Sequence, residues 1–328
     1  MENEAKERNV QPHKRNDEGY RPNQTPAALK IIQGGRNDLQ NGASGEAERL
    51  DEPMGVERFV PAVLYDGGVI ETTMDEHEPA IQWCQEYMGW KVAQQENWKP
   101  DPKSAVGRMT HMGWGIWIQS GAAADSSPFP PAKREAVDPH IRWCWSTRSL
   151  RDKHSAFREA GIRVSELYTD RQGREAFDFW AIDDRMLLTA VEDRALKDGA
   201  FADYNVFRVM VRDLKRSIEW YEHYIGMELE ADRSEEGYAV MTLGINYHPE
   251  GHSRWVLEEY PGMPGTGPVD GLFRTRCFVQ SREDFFAYHR FLRESGASVS
   301  EIGGFVQRGM VHFHVYDPDG NRFNVSSM

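Results

Sequence analysis

Two stretches of the chain are near copies of each other. Ala80-Ile81-Gln82-Trp83-Cys84-Gln85-Glu86-Tyr87-Met88-Gly89-Trp90 aligns with Ser217-Ile218-Glu219-Trp220-Tyr221-Glu222-His223-Tyr224-Ile225-Gly226-Met227 at a shift of 137 residues. Phe157-Arg158-Glu159-Ala160-Gly161 followed by Val164-Ser165-Glu166 aligns with Leu292-Arg293-Glu294-Ser295-Gly296 followed by Val299-Ser300-Glu301 at a shift of 135. Two matches at nearly one spacing identify a duplicated module, and a repeat of this kind constrains the architecture before any single residue is weighed.

With 328 residues the chain has room for about two domains of ~150 residues each, which suits a duplication. Hydrophobic residues make up 39% and charged residues 28%, enough to bury a core, and the apolar runs are too short to cross a bilayer. The net charge of −13, without basic runs interleaved with aromatics, argues against nucleic-acid binding. Cys84, Cys144 and Cys277 are scattered among apolar residues without a CxxC spacing, as expected of buried thiols in a cytoplasmic protein. Residues 1–55 are polar, lack strand or helix periodicity and carry no apolar signal segment; they are expected to form a disordered tail.

Within the first module, taken as 56–195, a helix is expected after Glu78-Pro79, with Ile81, Cys84, Tyr87 and Met88 on one face and Gly89 as its end. Strands are expected at Trp90-Lys91-Val92, across Gly113–Gln119 and across His140–Trp145, with a Pro-rich connection over 120–136 and a helix ending at Gly161. The second module, 203–328, opens on the alternating strand Phe207–Leu214. A helix over Ser217–Tyr224 follows, and the module closes with two strands joined by Asp317-Pro318-Asp319-Gly320. Strand, helix and further strands thus recur twice per module, four times in all.

Val211-Arg212-Asp213-Leu214, Ser217-Ile218-Glu219-Trp220-Tyr221, Ile225-Gly226-Met227 and Asp317-Pro318-Asp319-Gly320-Asn321-Arg322-Phe323 resemble the vicinal oxygen chelate superfamily of glyoxalase I, bleomycin-resistance proteins and extradiol dioxygenases. The first module departs from the pattern: Cys84 stands where a tyrosine is usual, and Ile182-Asp183-Asp184-Arg185 replaces the Asp-Pro-Asp-Gly turn. The resemblance implies an α+β fold of two tandem glyoxalase-like modules, whose four βαβββ units form curved mixed sheets with concave ligand cups. It also implies a divalent metal, Fe, Mn, Ni or Zn, held by His, Glu or Gln side chains, the donor types that suit such ions.

Transferred position by position, the metal-ligand places fall on Gly68 or Val69 and Gln119 in the first unit, and on His140 and Leu188 in the second. They fall on Val206 and Glu258 in the third, and on Arg274 and Asn324 in the fourth. Gln119, His140 and Glu258 are therefore the candidate metal ligands, with Glu258 also a candidate catalytic carboxylate. Pairing units one with two, two with three or three with four leaves the ligand set incomplete, whereas mononuclear catalytic sites use three or more protein ligands. An alternative for Glu258 is an ion pair with Arg274, since a buried carboxylate needs a partner. Arg274, Asn324 and Trp143 are candidate substrate-binding residues. Trp143 is grouped with Trp114, Trp117 and Trp145, whose indoles either stack on a ligand or pack the core. His312 and His314 share one strand face, and His248 and His252 flank a loop.

Two functions follow. One is a metal-assisted lyase, isomerase or dioxygenase acting on a small organic molecule. The other is a metal-free binding or resistance protein of the bleomycin-resistance type. The expected partner is a small molecule, with no nucleic acid and no membrane, and the expected state is a monomer or homodimer.

Overall fold

The computed structural model describes residues 56–98, 107–113, 115–121, 140–243, 253–263, 272–305 and 310–327, all within one compact unit. The expected tail, Trp114, His248, His252 and most of the Pro-rich connection lie outside the described residues.

Four units follow one another along the chain. The first comprises β1 (Val63–Thr73), α1 (His77–Trp83), β2 (Gln94–Trp98), β3 (Gly107–His111) and β4 (Ile116–Gly121). The second comprises β5 (Ile141–Thr147), α2 (Leu150–Glu159), β6 (Tyr168–Thr169), β7 (Glu175–Trp180), a single left-handed turn numbered α3 (Ala181–Asp184) and β8 (Met186–Glu192). The third comprises β9 (Ala202–Val211), α4 (Leu214–Trp220), β10 (Glu228–Arg233), β11 (Tyr238–Leu243) and β12 (Ser253–Glu259). The fourth comprises β13 (Phe273–Val279), α5 (Arg282–Glu294), β14 (Ser298–Val299), β15 (Gly303–Phe305), β16 (Met310–Tyr316) and β17 (Arg322–Ser327). The strand that follows α1 begins at Gln94, four residues beyond the expected Trp90, because Trp90 turns into the core and packs against Trp143 and Trp145.

The duplicated segment has the same shape in both copies. Each helix ends in a wider turn, Cys84–Met88 and Tyr221–Ile225, capped by Gly89 and Gly226 at φ 72° and 76°. The glycine N–H bonds back five residues, to the carbonyls of Cys84 and Tyr221. Positive φ is nearly free for glycine and costly for other residues, so a glycine at this place in each copy stops the helix.

The sheets do not follow the module boundary. One runs β14-β16-β17-β13-β1-β4-β3-β2, with β15 alongside β16, and joins the first unit to the fourth. The other runs β10-β11-β12-β9-β5-β8-β7-β6 and joins the second unit to the third. The seams are antiparallel, β1 with β13 and β5 with β9. Of the three pairings considered from sequence, two with three occurs; one with two and three with four do not, and the pairing of one with four was not among them. Each curved sheet is completed within a single chain.

Strand alternation gives each sheet an apolar and a polar face. Tyr65, Ile70, Ile116, Ile118, Phe273, Cys277, Phe313, Phe323 and Val325 of the first sheet share one core with Trp143, Trp145, Phe207, Val209, Trp255, Phe177 and Leu188 of the second. Tyr65 meets Phe207 edge-on at 5.7 Å, and Trp143 stacks on Phe273 at 4.9 Å. Gly68 lies at this contact: a Cβ there would come within 2.4 Å of the Phe273 ring and 2.9 Å of Trp143.

The motifs that carry the resemblance tie the third unit to the fourth. The Asp317 carboxylate accepts from the backbone N–H groups of Asp319 and Asn321, from Asn321 Nδ2 and from the Tyr221 hydroxyl at 3.1 Å. Asp319 pairs with Arg212 and also accepts from its backbone N–H. Burial, opposed by these donors, raises the Asp317 carboxyl to about 6. Those residues are scaffold.

Candidate functional site

Each sheet has a second face, and the two differ in what fills them. On the second sheet this face carries a compact network. Arg208 holds Glu258 through two bonds, Nε to Oε1 at 3.0 Å and the terminal nitrogen to Oε2 at 2.8 Å. Its other terminal nitrogen donates to the Tyr168 hydroxyl at 2.6 Å, and Tyr168 donates to Asp178 at 2.9 Å. Thr189 donates to Asp178 as well, at 2.6 Å, and Arg142 lies 3.9 Å from the same carboxylate. Around this network Cys144, Ala176, Val191, Val206, Tyr238, Val240 and Val256 pack into a satellite cluster. Burial pushes the Cys144 thiol up to about 12, so it is not a nucleophile.

Glu258 is therefore 2% exposed and bound by a fork-shaped guanidinium. Its partner is Arg208 on the neighbouring β9, not Arg274, which lies in the other sheet; the expected Glu258–Arg274 pair is corrected accordingly. His140 precedes β5 opposite Met210, and Glu258 pairs with Met210 from the other side, so two strand spacings separate His140 from Glu258. Trp143, considered as a ligand-stacking residue, faces the shared core with no exposure and stacks against Phe207 and Phe273.

On the first sheet this face gathers a different set. Register aligns Val69 with Arg274 and Trp117, and Glu71 with Gln119. Cys277 opposite Val325 on the core face puts Arg274, Arg276, Arg322 and Asn324 together on the other, and His314 stands opposite Asn324. The Arg274 guanidinium lies 2.6 Å from one oxygen of Glu71, and Arg322 lies 3.9 Å from the second. Gln119 Oε1 is 3.5 Å from the same terminal nitrogen of Arg274. Arg276 lies 3.4 Å from Asp66. The three arginines are 5%, 7% and 5% exposed in chain order 274, 276, 322, so this face is enclosed.

Three of these residues are candidates from sequence and two are not. Gln119, Arg274 and Asn324 converge as candidates on one face. Arg276 and Arg322 were missed, although Arg274-Thr275-Arg276 alternates on one strand and Arg322-Phe323-Asn324 on its neighbour, which is the periodicity that shows a shared face.

The three candidate metal ligands do not meet. Gln119 is in one sheet, His140 and Glu258 in the other, and the two sheets press their opposite faces together. Among the described residues no group of three or more His, Cys, Asp or Glu side chains is placed to hold an ion. The donor set of the first sheet also does not fit a divalent cation. Both Glu71 oxygens and the Gln119 carbonyl face guanidinium groups, and a cation added at these oxygens would sit against Arg274 and Arg322. On the second sheet both Glu258 oxygens are already bound by Arg208.

Residues 204–325 match the model of the Glyoxalase/Bleomycin resistance protein/Dioxygenase superfamily. Within the second module the sequence is similar to this superfamily across nearly its whole length. Across the chain, the fold is that of glyoxalase I from Zea mays, with a TM-score of 0.53 at 13% identity, covering 81% of this chain and 92% of that one. A putative dioxygenase from Bacillus subtilis aligns with a TM-score of 0.53 at 10% identity, covering 82% of this chain and 86% of that one. No curated protein sequence matches at a significant level. The superfamily spans metal-dependent enzymes and resistance proteins, and at these identities the likeness fixes the fold alone. Among the described residues no helix is long and apolar enough to cross a membrane.

Proposed function

We propose that this chain is a small-molecule-binding member of the superfamily that works without a metal, and that its ligand occupies the polar face of the sheet built from the first and fourth units. The observation that carries the reading is the contrast between the two polar faces. The second sheet's face is satisfied by its own network around Arg208 and Glu258 and by a packed apolar cluster. The first sheet's face presents guanidinium, amide and imidazole groups beside Trp117, whose ring stacks on His111 at 4.3 Å. A few convergent polar groups beside an aromatic surface are the usual make-up of a small-molecule site. The metal-assisted lyase, isomerase or dioxygenase reading requires a free carboxylate donor, and both oxygens of Glu71, the carboxylate beside Gln119, already face Arg274 and Arg322. Because both sheets close within one chain, a monomer suffices for the site.

Titrating the full chain with small planar probes tests this. At least one probe is expected to bind saturably, to lose affinity by at least about tenfold in Trp117→Ala, and to be indifferent to Tyr168→Phe on the other sheet. Stoichiometric binding of Mn²⁺, Ni²⁺ or Zn²⁺ instead, or binding insensitive to Trp117→Ala, overturns it.

A further inference from the structure

Resting on that reading of the site, we infer that the ligand is a small organic anion, a carboxylate or a phosphate ester, received by Arg274, Arg276 and Arg322. Arginine is seldom buried to this degree, and three on one enclosed face concentrate N–H donors that match planar and tetrahedral oxyanions.

Arg276 is held for this role. Its guanidinium lies 4.6 Å from the Trp117 ring and 4.8 Å from the Phe278 ring, contacts that fix the plane of the fork. Arg274 and Arg322 both address Glu71, whose side chain is 29% exposed while theirs are 5% and 4% exposed. That carboxylate is thus the more open member of the group, a resident anion placed where an incoming one would join or displace it.

The neighbouring imidazoles support the same field. Burial first, and then Arg274, Arg322 and Arg276, hold His312 well below its ordinary range. His314 is lowered by burial and by Arg322 and Arg274, with Asn324 working the other way. Both are neutral near pH 7, so they offer hydrogen bonds without charge, beside the amides of Gln119 and Asn324. With Glu71 and Asp66 set against three guanidinium groups the face keeps an excess of positive charge, which disfavours a cationic ligand; a neutral ligand would leave that excess unused.

Matched probes on the full chain test the inference: benzoate, phenyl phosphate and benzamide, the last nearly isosteric with benzoate but uncharged. Benzoate or phenyl phosphate is expected to bind at least about tenfold more tightly than benzamide and to weaken as NaCl is raised. Arg274→Ala should abolish the preference, whereas Glu71→Gln should retain or strengthen anion binding by removing the competing carboxylate. The ratio of benzoate to phenyl phosphate affinity distinguishes the two anion classes. Benzamide binding as well as benzoate, with Trp117 dependence intact, overturns the inference and leaves the proposed site standing. If none of the three binds wild type up to millimolar concentration, the inference and the site both fall. Because the comparison of probes is made on wild type, a variant that fails to fold does not remove the test.

Discussion

At the scale of residues, the most consequential finding is what happened to Glu258. The sequence places a carboxylate there and offers two roles, ligand or ion-pair partner. Side-chain alternation establishes that one of Glu258 and Glu259 faces inward, but nothing in the linear order says which cation meets it. Arg208 and Glu258 are 50 residues apart and become neighbours only through the parallel pairing of β9 with β12. Removing one member leaves a buried charge unmatched, at a cost of about 3–5 kcal/mol, while replacing both with apolar residues of similar volume is often near neutral. Glu258→Ala should therefore be strongly destabilised in urea unfolding, and Arg208→Met with Glu258→Leu should recover most of the loss. Equal destabilisation by single and double variants would mean that the pair is not a unit.

At the scale of elements, the departures of the first module from the superfamily pattern prove to be linked. In the third and fourth units Tyr221 reaches the Asp317 carboxylate of the tight turn. In the first and second units Cys84, at the tyrosine position, has no hydroxyl to offer, and the turn sequence Ile182-Asp183-Asp184-Arg185 has changed as well. That turn is made by three successive non-glycine residues in the left-handed region, with φ of 50°, 53° and 63°, and is tied to the start of α1 by the Arg185–Glu76 ion pair at 2.8 Å. Left-handed backbone costs an ordinary L-residue roughly 1–2 kcal/mol. Because the Asp184 side chain is exposed, Asp184→Gly relieves strain without losing packing and is expected to stabilise by about 1 kcal/mol, read as a rise in the urea midpoint. A loss of stability would show that the aspartate itself holds the turn. The sequence reveals that this turn is aberrant, but not how the chain makes it, since three left-handed residues without a glycine leave no compositional signature.

At the scale of the whole molecule, the βαβββ units and their fourfold recurrence are legible in the sequence, because helical spacing, strand alternation and glycine stops are local. Sheet partnership is not local. The repeat suggests neighbours in sequence as partners, whereas the first strand of the chain's first unit lies against β13 of the last. That single topological fact sets Gln119 apart from His140 and brings it to Arg274, on an arginine-rich face. It also predicts interdependence: residues 56–195 expressed alone would expose both seam strands and should fail to fold cooperatively, whereas co-expression with 203–328 should restore a cooperative transition by circular dichroism. Independent cooperative folding of either piece would contradict the shared core.

The anion site is tested most directly by isothermal titration of the chelator-treated full chain with benzoate and phenyl phosphate and, in parallel, with MnCl₂, NiCl₂ and ZnCl₂. Saturable heat is expected for at least one of the two anions, lost in Arg274→Ala, with no stoichiometric heat for the metals. A metal bound at one equivalent and lost in Glu71→Ala would place a cation where the account places an anion, and would contradict it.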